Sequence, residues 1–259
     1  MAGRKIARVT DPAAPAQHTP GCPPGPPGGP GLVIAVDGPA GSGKSSAARG
    51  VATALGLRYL DTGAMYRALT WWLLARGVPV SSPDEVARQL GAPVIEVGTD
   101  PAAPAIAVDG TDVSGPIRTR EISNAVSAVA SLPQVRAHLI ALQRQIIAAA
   151  AAAGPGIVAE GRDIGTVVAP DAPVKVFLTA SEEARALRRS ADLAADPAAT
   201  PERTRSEQAS RDRKDAPQMA RAADAVQIDT TALTLEEVIG EISGLARARR
   251  GAAAAGRPA

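Results

Sequence analysis

The chain has 259 residues, enough for one substantial core with a small inserted lobe, and its 45% apolar and 21% charged residues suit an ordinary soluble globular protein. A net charge of only +2 argues against a nucleic-acid polymer as partner, and 2% aromatics leave no stacking platforms for single strands. One cysteine, Cys22, excludes an intrachain disulfide and a Cys-rich metal site, and the placement of the two histidines, His18 and His138, argues against a His-based triad or zinc centre.

Residues 1–30 end in "TPGCPPGPPGGP", which holds neither helix nor sheet ladder and is expected to be a disordered leader. It lacks the apolar core of a signal peptide. The folded part begins with "GLVIAVDG" (31–38), a continuous apolar run ending in Asp-Gly, as in a strand buried on both faces. A helix is predicted from Ser45 to about Leu55, a short strand at 57–61, and a helix over 63–77 that stops at Gly77. Residues 93–116 change character: two short strand-like runs punctuated by Pro, Gly and Asp predict a small hairpin lobe. A long helical region from Ile117 to about Ala153 follows, broken in two at Pro133, with His138 on a helix surface. Its greasiest stretch, "LIALQRQIIAAAAAAG", carries Gln and Arg and is too short to span a bilayer.

Further strands are predicted at "GIVAEG" (156–161), "PVKVFLTA" (173–180) and "AVQIDT" (225–230), with a charged helical segment over 181–215 and a last helix, Thr-capped, over 234–250. The basic end of that helix and the residues after it, "RARRGAAAAGRPA" (247–259), are expected to be a solvated end. Strands alternating with helices define an α/β protein with a parallel sheet covered on both faces. There is no internal repeat.

"GPAGSGKS", Gly38 to Ser45, fits G-x-x-x-x-G-K-S/T, and it has the strand before and the helix after that the motif requires. Gly38, Pro39, Ala40, Gly41, Ser42 and Gly43 would curl so that backbone N–H groups converge on phosphate oxygens. The helix N-terminus adds its dipole. Lys44 reaches the outer phosphates and the Ser45 hydroxyl can take a place on Mg²⁺, with Ser46 beside it. The loop alone does not name the reaction. The only asparagine, Asn124, is followed by Ala-Val-Ser, so the N-K-x-D reader of guanine is absent.

"DTGAMYR" and "EGRDIGT" each follow a predicted strand, where open α/β sheets gather functional residues. Arg67, one turn into a helix, can fork onto a phosphate or stay solvated. Arg162 and Asp163 suit one phosphate contact and one donor contact, or a structural ion pair. Arg185, Arg188 and Arg189 share a helix face, which reads either as a solvated face or as a lid that supplies cations and excludes water.

Taken together, "VDGPAGSGKSS", "LDTGAMYR", "VSGPIRT", "VSAVASLPQVR", "EGRDIGTVVAPDAPVKVFLTAS" and "RDRKDA…DAVQIDTT" stand in the order and spacing typical of bacterial cytidylate kinases, and the similarity covers about residues 31–247. The resemblance implies a P-loop kinase core (31–92 and 117–259), a nucleoside-monophosphate lobe that includes 93–116, and an Arg-rich lid at about 181–215. It implies transfer of the ATP γ-phosphate to CMP or dCMP, with Mg²⁺; the composition adds the expectation of a reducing, cytoplasmic setting without membrane or nucleic-acid partners, and a monomer is expected. By position, Gly38 to Ser46 would hold ATP phosphates, and Thr62, Arg67 and Arg162 would meet the CMP phosphate. Ser127, Arg136 and Asp163 would face cytosine. Arg211 and Asp215 would act from the lid, with Arg188 and Arg189 on the ATP side and Arg118 a weaker candidate. One departure stands out: the family carries a further Arg after the second lid Asp, and here Asp215 is followed by "APQMARAADA", leaving Arg213 or Arg221 to substitute. The rivals are another small P-loop kinase, against which Ser127, Arg136 and Asp163 argue, and a non-catalytic ATP-binding protein.

Overall fold

The computed structural model describes residues 31–192 and 200–255, in which strands and helices alternate. The leader with His18 and Cys22, lid positions 193–199 and residues 256–259 lie outside the described residues. In chain order the elements are β1 (Leu32–Asp37), α1 (Lys44–Leu55), β2 (Arg58–Asp61), α2 (Thr62–Ala75), α3 (Pro83–Gln89), β3 (Ile95–Val97), β4 (Ile106–Val108) and β5 (Thr111–Asp112). Then come α4 (Arg120–Ala130), α5 (Pro133–Ala153), β6 (Gly156–Gly161), β7 (Val174–Thr179), α6 (Glu182–Asp192), α7 (Pro201–Asp215), β8 (Val226–Asp229) and α8 (Leu235–Ala255).

The larger sheet has the order β2-β6-β1-β7-β8. β1 pairs with β7 and β7 with β8 in parallel, with Val36 opposite Val176 and Leu178 opposite Ile228. β1 lies at its centre, and the apolar runs of β1 and β6 are buried because both faces of such a sheet are covered. By internal contact the chain divides into two units, one of Met1–Val33 with Ala52–Ile157 and one of Ile34–Val51 with Val158–Ala259.

In the first unit α2 packs against α4, β3 and β4, and Met65, Leu69, Leu73, Ile117 and Leu139 are fully buried. Asp61 starts α2 by accepting a hydrogen bond from the Ala64 N–H at 2.9 Å. Residues 93–116 hold a three-stranded antiparallel sheet, β3-β4-β5, rather than a two-stranded hairpin. Pro133 opens α5 at its first position, where a missing N–H breaks no helical bond, and α4 and α5 are bent by 99° as the proline predicts. Helix α3 was not predicted: it is short, it carries only one buried residue, Val86, and so it has no apolar stripe to announce it. Among the described residues no single helix is long and apolar enough to cross a membrane.

In the second unit α6 packs on α7 and α8 on β7, over a core that includes Val176, Leu178, Ile228 and Ile242. The predicted Thr cap of α8 is present as a reciprocal box: Thr234 Oγ1 accepts from the Glu237 N–H at 3.2 Å, and Glu237 Oε2 accepts from the Thr234 N–H at 2.8 Å. The helix continues to Ala255, past the expected end. A π-helical turn, Ile164–Val168, follows β6 and is closed by the Val168 N–H to the Asp163 carbonyl at 3.1 Å.

Candidate active site

The turn after β1, the central strand of the larger sheet, belongs to the second unit. Asp37 ends β1, six residues turn, and α1 begins at Lys44. Gly38 and Gly41 have φ of +146° and +78°. A Cβ on Gly38 would lie 2.1 Å from the Leu178 carbonyl oxygen, and one on Gly41 would lie 2.9 Å from the Arg185 carbonyl oxygen, so backbone angle and space both demand glycine. Three consecutive carbonyls of this turn are tied back by cations. Gly38 accepts from Arg162 Nη1 at 2.7 Å, Pro39 from Lys44 Nζ at 2.7 Å and Ala40 from Arg185 Nη1 at 3.2 Å. A loop braced by its carbonyls offers its N–H groups to an anion.

The electrostatics fit an anion site. Lys44 is only 8% exposed; burial, then the neighbouring Arg162 cation, push its ammonium down to about 7, while Glu160 and Asp37 act the other way. Burial likewise lowers Arg211 to about 10, with Arg162 adding to the effect, and the Arg211 Nε is buried without a hydrogen-bond partner. Burial raises the Asp37 carboxyl to about 6 even though the Ile164 and Gly165 N–H groups each donate to it at 2.8 Å. Lys44, Arg162 and Arg211 thus lie close enough to disfavour one another's charge, a condition that a polyphosphate relieves. Ser45 Oγ donates to Glu160 Oε2 at 3.0 Å.

The predicted residues fall in both units. In the second, Arg162 Nε donates to Asp215 Oδ2 at 3.2 Å, and Asp215 is the buried last residue of α7. Asp163 is buried at the start of the π-helical turn. Arg211, also on α7, has Arg162, Asp215, Arg189 and Asp212 for electrostatic neighbours. Arg188 binds Thr230 through both terminal nitrogens. Arg213 and Arg221, the candidates for the absent lid arginine, are both exposed.

In the first unit Thr62 is buried at the start of α2. Arg67 Nη1 donates to Ser123 Oγ at 2.9 Å and the Ile117 carbonyl at 3.1 Å. Ser127 is buried on α4, and Arg136 is half-buried in the first turn of α5. Arg118 lies 3.7 Å from Asp61 with its side chain 63% exposed.

Three residues of the second unit are not singled out by the sequence, and a fourth, Arg185, takes a different place from the one expected. Asp37 and Glu160 are acids ending or nearly ending buried strands, a placement that costs too much to be idle, and that was the available signal. Thr230 follows β8 in the same way. Arg185 had been grouped with the lid arginines. It is instead buried, ion-paired with Asp212 and braced on the loop, with no exposed face.

A parallel sheet with a glycine-rich turn after its central strand, a buried Lys44 at the helix start and converging arginines define a P-loop nucleotide-binding protein. The family model for cytidylate kinase matches residues 34–248. A cytidylate kinase of Streptomyces griseus is 55% identical over 224 residues, 86% of this chain and 95% of that protein. One from Mycobacterium avium is 46% identical over 224 residues, 84% of this chain and 96% of that protein. Among solved structures, a gluconokinase from Sinorhizobium meliloti matches with TM-score 0.47 and 18% identity, over 88% of this chain and 98% of that one. A shikimate kinase from Acinetobacter baumannii matches with TM-score 0.42 and 14% identity, over 84% and 94%. The chain belongs to the cytidylate kinase family.

Proposed function

We propose that the protein transfers the γ-phosphoryl group of ATP to CMP and dCMP, giving CDP and dCDP, as a cytoplasmic monomer without membrane or nucleic-acid partners. The observation that carries the reading is the group of cations, buried Lys44 with half-buried Arg162 and Arg211, around the phosphate loop of a cytidylate kinase family chain. An acceptor phosphate oxygen attacks the γ-phosphorus, the bond to the β–γ bridging oxygen breaks, and ADP leaves. Charge spreads over the transferred group, so catalysis is mostly neutralisation and alignment. Lys44 and the loop N–H groups hold the donor phosphates; Arg162, Arg188, Arg189 and Arg211 supply further positive charge. No general base is needed, because the acceptor oxygen is already a nucleophile.

Thr62, Arg67 and Arg162 are the proposed contacts of the acceptor phosphate, and Ser127, Arg136 and Asp163 those of cytosine. Arg136 only donates and so suits O2 and N3; an ionised Asp163 only accepts and so suits the C4 amine. Uracil would turn a carbonyl oxygen toward that carboxylate. Asp215 and Arg211 complete the lid contacts.

Mg²⁺ is the proposed cofactor. The Ser45 hydroxyl and the Glu160 carboxylate, 3.0 Å apart, are hard oxygen donors that fit it. Among the described residues no cluster of three acidic, His or Cys side chains forms a metal cage, which suits an ion held largely by water and substrate phosphates. When bound it would neutralise phosphate oxygens.

The test is ADP release from Mg-ATP with CMP, dCMP, UMP, AMP and shikimate tried separately. Strong stimulation by CMP and dCMP, weak by UMP and none by shikimate is expected. No stimulation by any of them overturns the reading.

A further inference from the structure

Thr230 stands just past the end of β8 and is 2% exposed. Its hydroxyl lies 3.1 Å from the Ser42 carbonyl of the phosphate loop and 3.0 Å from the Thr179 carbonyl at the end of β7. The same oxygen accepts from Arg188 Nη1 at 2.9 Å, and the Thr230 carbonyl accepts from Arg188 Nη2 at 2.6 Å. A hydroxyl has one proton to give and two lone pairs to offer, so it can serve one carbonyl at a time while still accepting from the guanidinium. One buried oxygen thus joins the phosphate loop, the sheet and the lid helix α6.

The place it holds Arg188 is specific. Arg188 Nη1 comes within 3.9 Å of where a Cβ on Gly43 would sit. Arg188 and Thr230 line a cavity of about 220 Å³ together with Ser42, Gly43, Leu233 and Val238. Loop backbone on one side and apolar side chains on the other are what a nucleotide cavity needs. A guanidinium has five N–H donors in a fixed fork, so two bonds to Thr230 leave donors for a phosphate and fix the plane in which they lie.

We propose that Thr230 is a positioning residue for the phosphate donor: its hydroxyl locks Arg188 and the Ser42 carbonyl into one array at the donor cavity. The proposal rests on the reading of the loop as an ATP site. Thr230→Val keeps the shape and removes the hydroxyl; Thr230→Ser keeps the hydroxyl. The full chain is titrated calorimetrically with Mg-ATP alone, as wild type, both Thr230 variants, Arg188→Ala and the Thr230→Val/Arg188→Ala double variant. KM for ATP and CMP and the thermal midpoint are measured in parallel.

Thr230→Val is expected to weaken Mg-ATP binding about tenfold, as loss of a hydrogen bond to a charged group does. The KM for CMP should move less than about twofold by the same reasoning, since the array touches only the donor cavity. Thr230→Ser should restore affinity, and on the Arg188→Ala background Thr230→Val should add little, because the two act as a unit. Unchanged affinity in Thr230→Val sinks the proposal alone. So does an undiminished effect without Arg188, or a loss for ATP and CMP alike that tracks a fallen thermal midpoint. A wild type that binds no Mg-ATP removes the function reading and this proposal with it.

Discussion

Asp37 is a residue whose chemistry responds to pH. Its carboxyl, buried at the end of β1, is raised from 3.8 to about 6, chiefly by burial and against two backbone hydrogen bonds. The unfolded chain gives up this proton first, so between those values the folded state binds more protons than the unfolded. Stability contributed by Asp37 is therefore fully present below about pH 4 and lost as pH rises to about 6. Asp37→Asn removes the titration. It also sets an amide N–H₂ against one of the two N–H donors, so it should lower the melting temperature at every pH. The gap between wild type and Asp37→Asn is expected to narrow from pH 4 to 6 and stay level above. A gap independent of pH would show that Asp37 does not titrate there. None of this was legible in the sequence: Asp37 meets Ile164 across 127 positions of chain. The loop from Gly38 to Ser45 was legible because its parts are neighbours in sequence, each with its own reason to be there.

At the scale of elements, one turn of the first unit ties its small sheet to a helix. Asp109, between β4 and β5, has φ of +51°; its Oδ2 accepts from Trp72 Nε1 at 2.8 Å and its Oδ1 from the Val94 N–H at 2.9 Å. One carboxylate thereby pins the small sheet to α2. Arg76, 3.6 Å from Asp109 and 3.9 Å over the Trp72 ring, adds little, since both charged side chains are well exposed. Asp109→Ala leaves the indole N–H of a 3% exposed Trp72 without that acceptor and puts an alanine in a left-handed conformation. These two costs should remove about 2–4 kcal/mol in urea unfolding followed by tryptophan fluorescence. Asp109→Asn, which tolerates the turn and keeps an acceptor, should lose less. Equal stability of Asp109→Ala and wild type would show that the turn does not anchor the sheet. Strands β1, β6 and β7 and the break at Pro133 could be read from apolar runs and a proline. The π-helical turn at Ile164 could not, because the Asp37 carboxylate that holds two of its N–H groups is far away in sequence.

At the scale of the molecule, the proposed contacts are drawn from both units, and neither unit is contiguous in sequence. The phosphate loop, Arg162, Arg188 and Arg211 belong to one; Arg67, Ser127 and Arg136 belong to the other. Composition and periodicity give no hint of this division, since its boundaries fall inside β1, α1 and β6. The proposed site residues could be named from the sequence all the same, because their motifs are short and local. Arg136 and Lys44, one from each unit, should therefore fail differently. Arg136→Met keeps the length and apolar stem of the side chain but loses every donor. It should raise the KM for CMP by roughly ten- to a hundredfold, the cost of leaving cytosine acceptors unpaired, while Mg-ATP affinity measured without CMP stays the same. Lys44→Ala should abolish turnover and weaken Mg-ATP binding directly. If Arg136→Met instead weakened Mg-ATP binding as much as it raised the KM for CMP, Arg136 would be stabilising the fold as a whole, and its assignment to cytosine would fall.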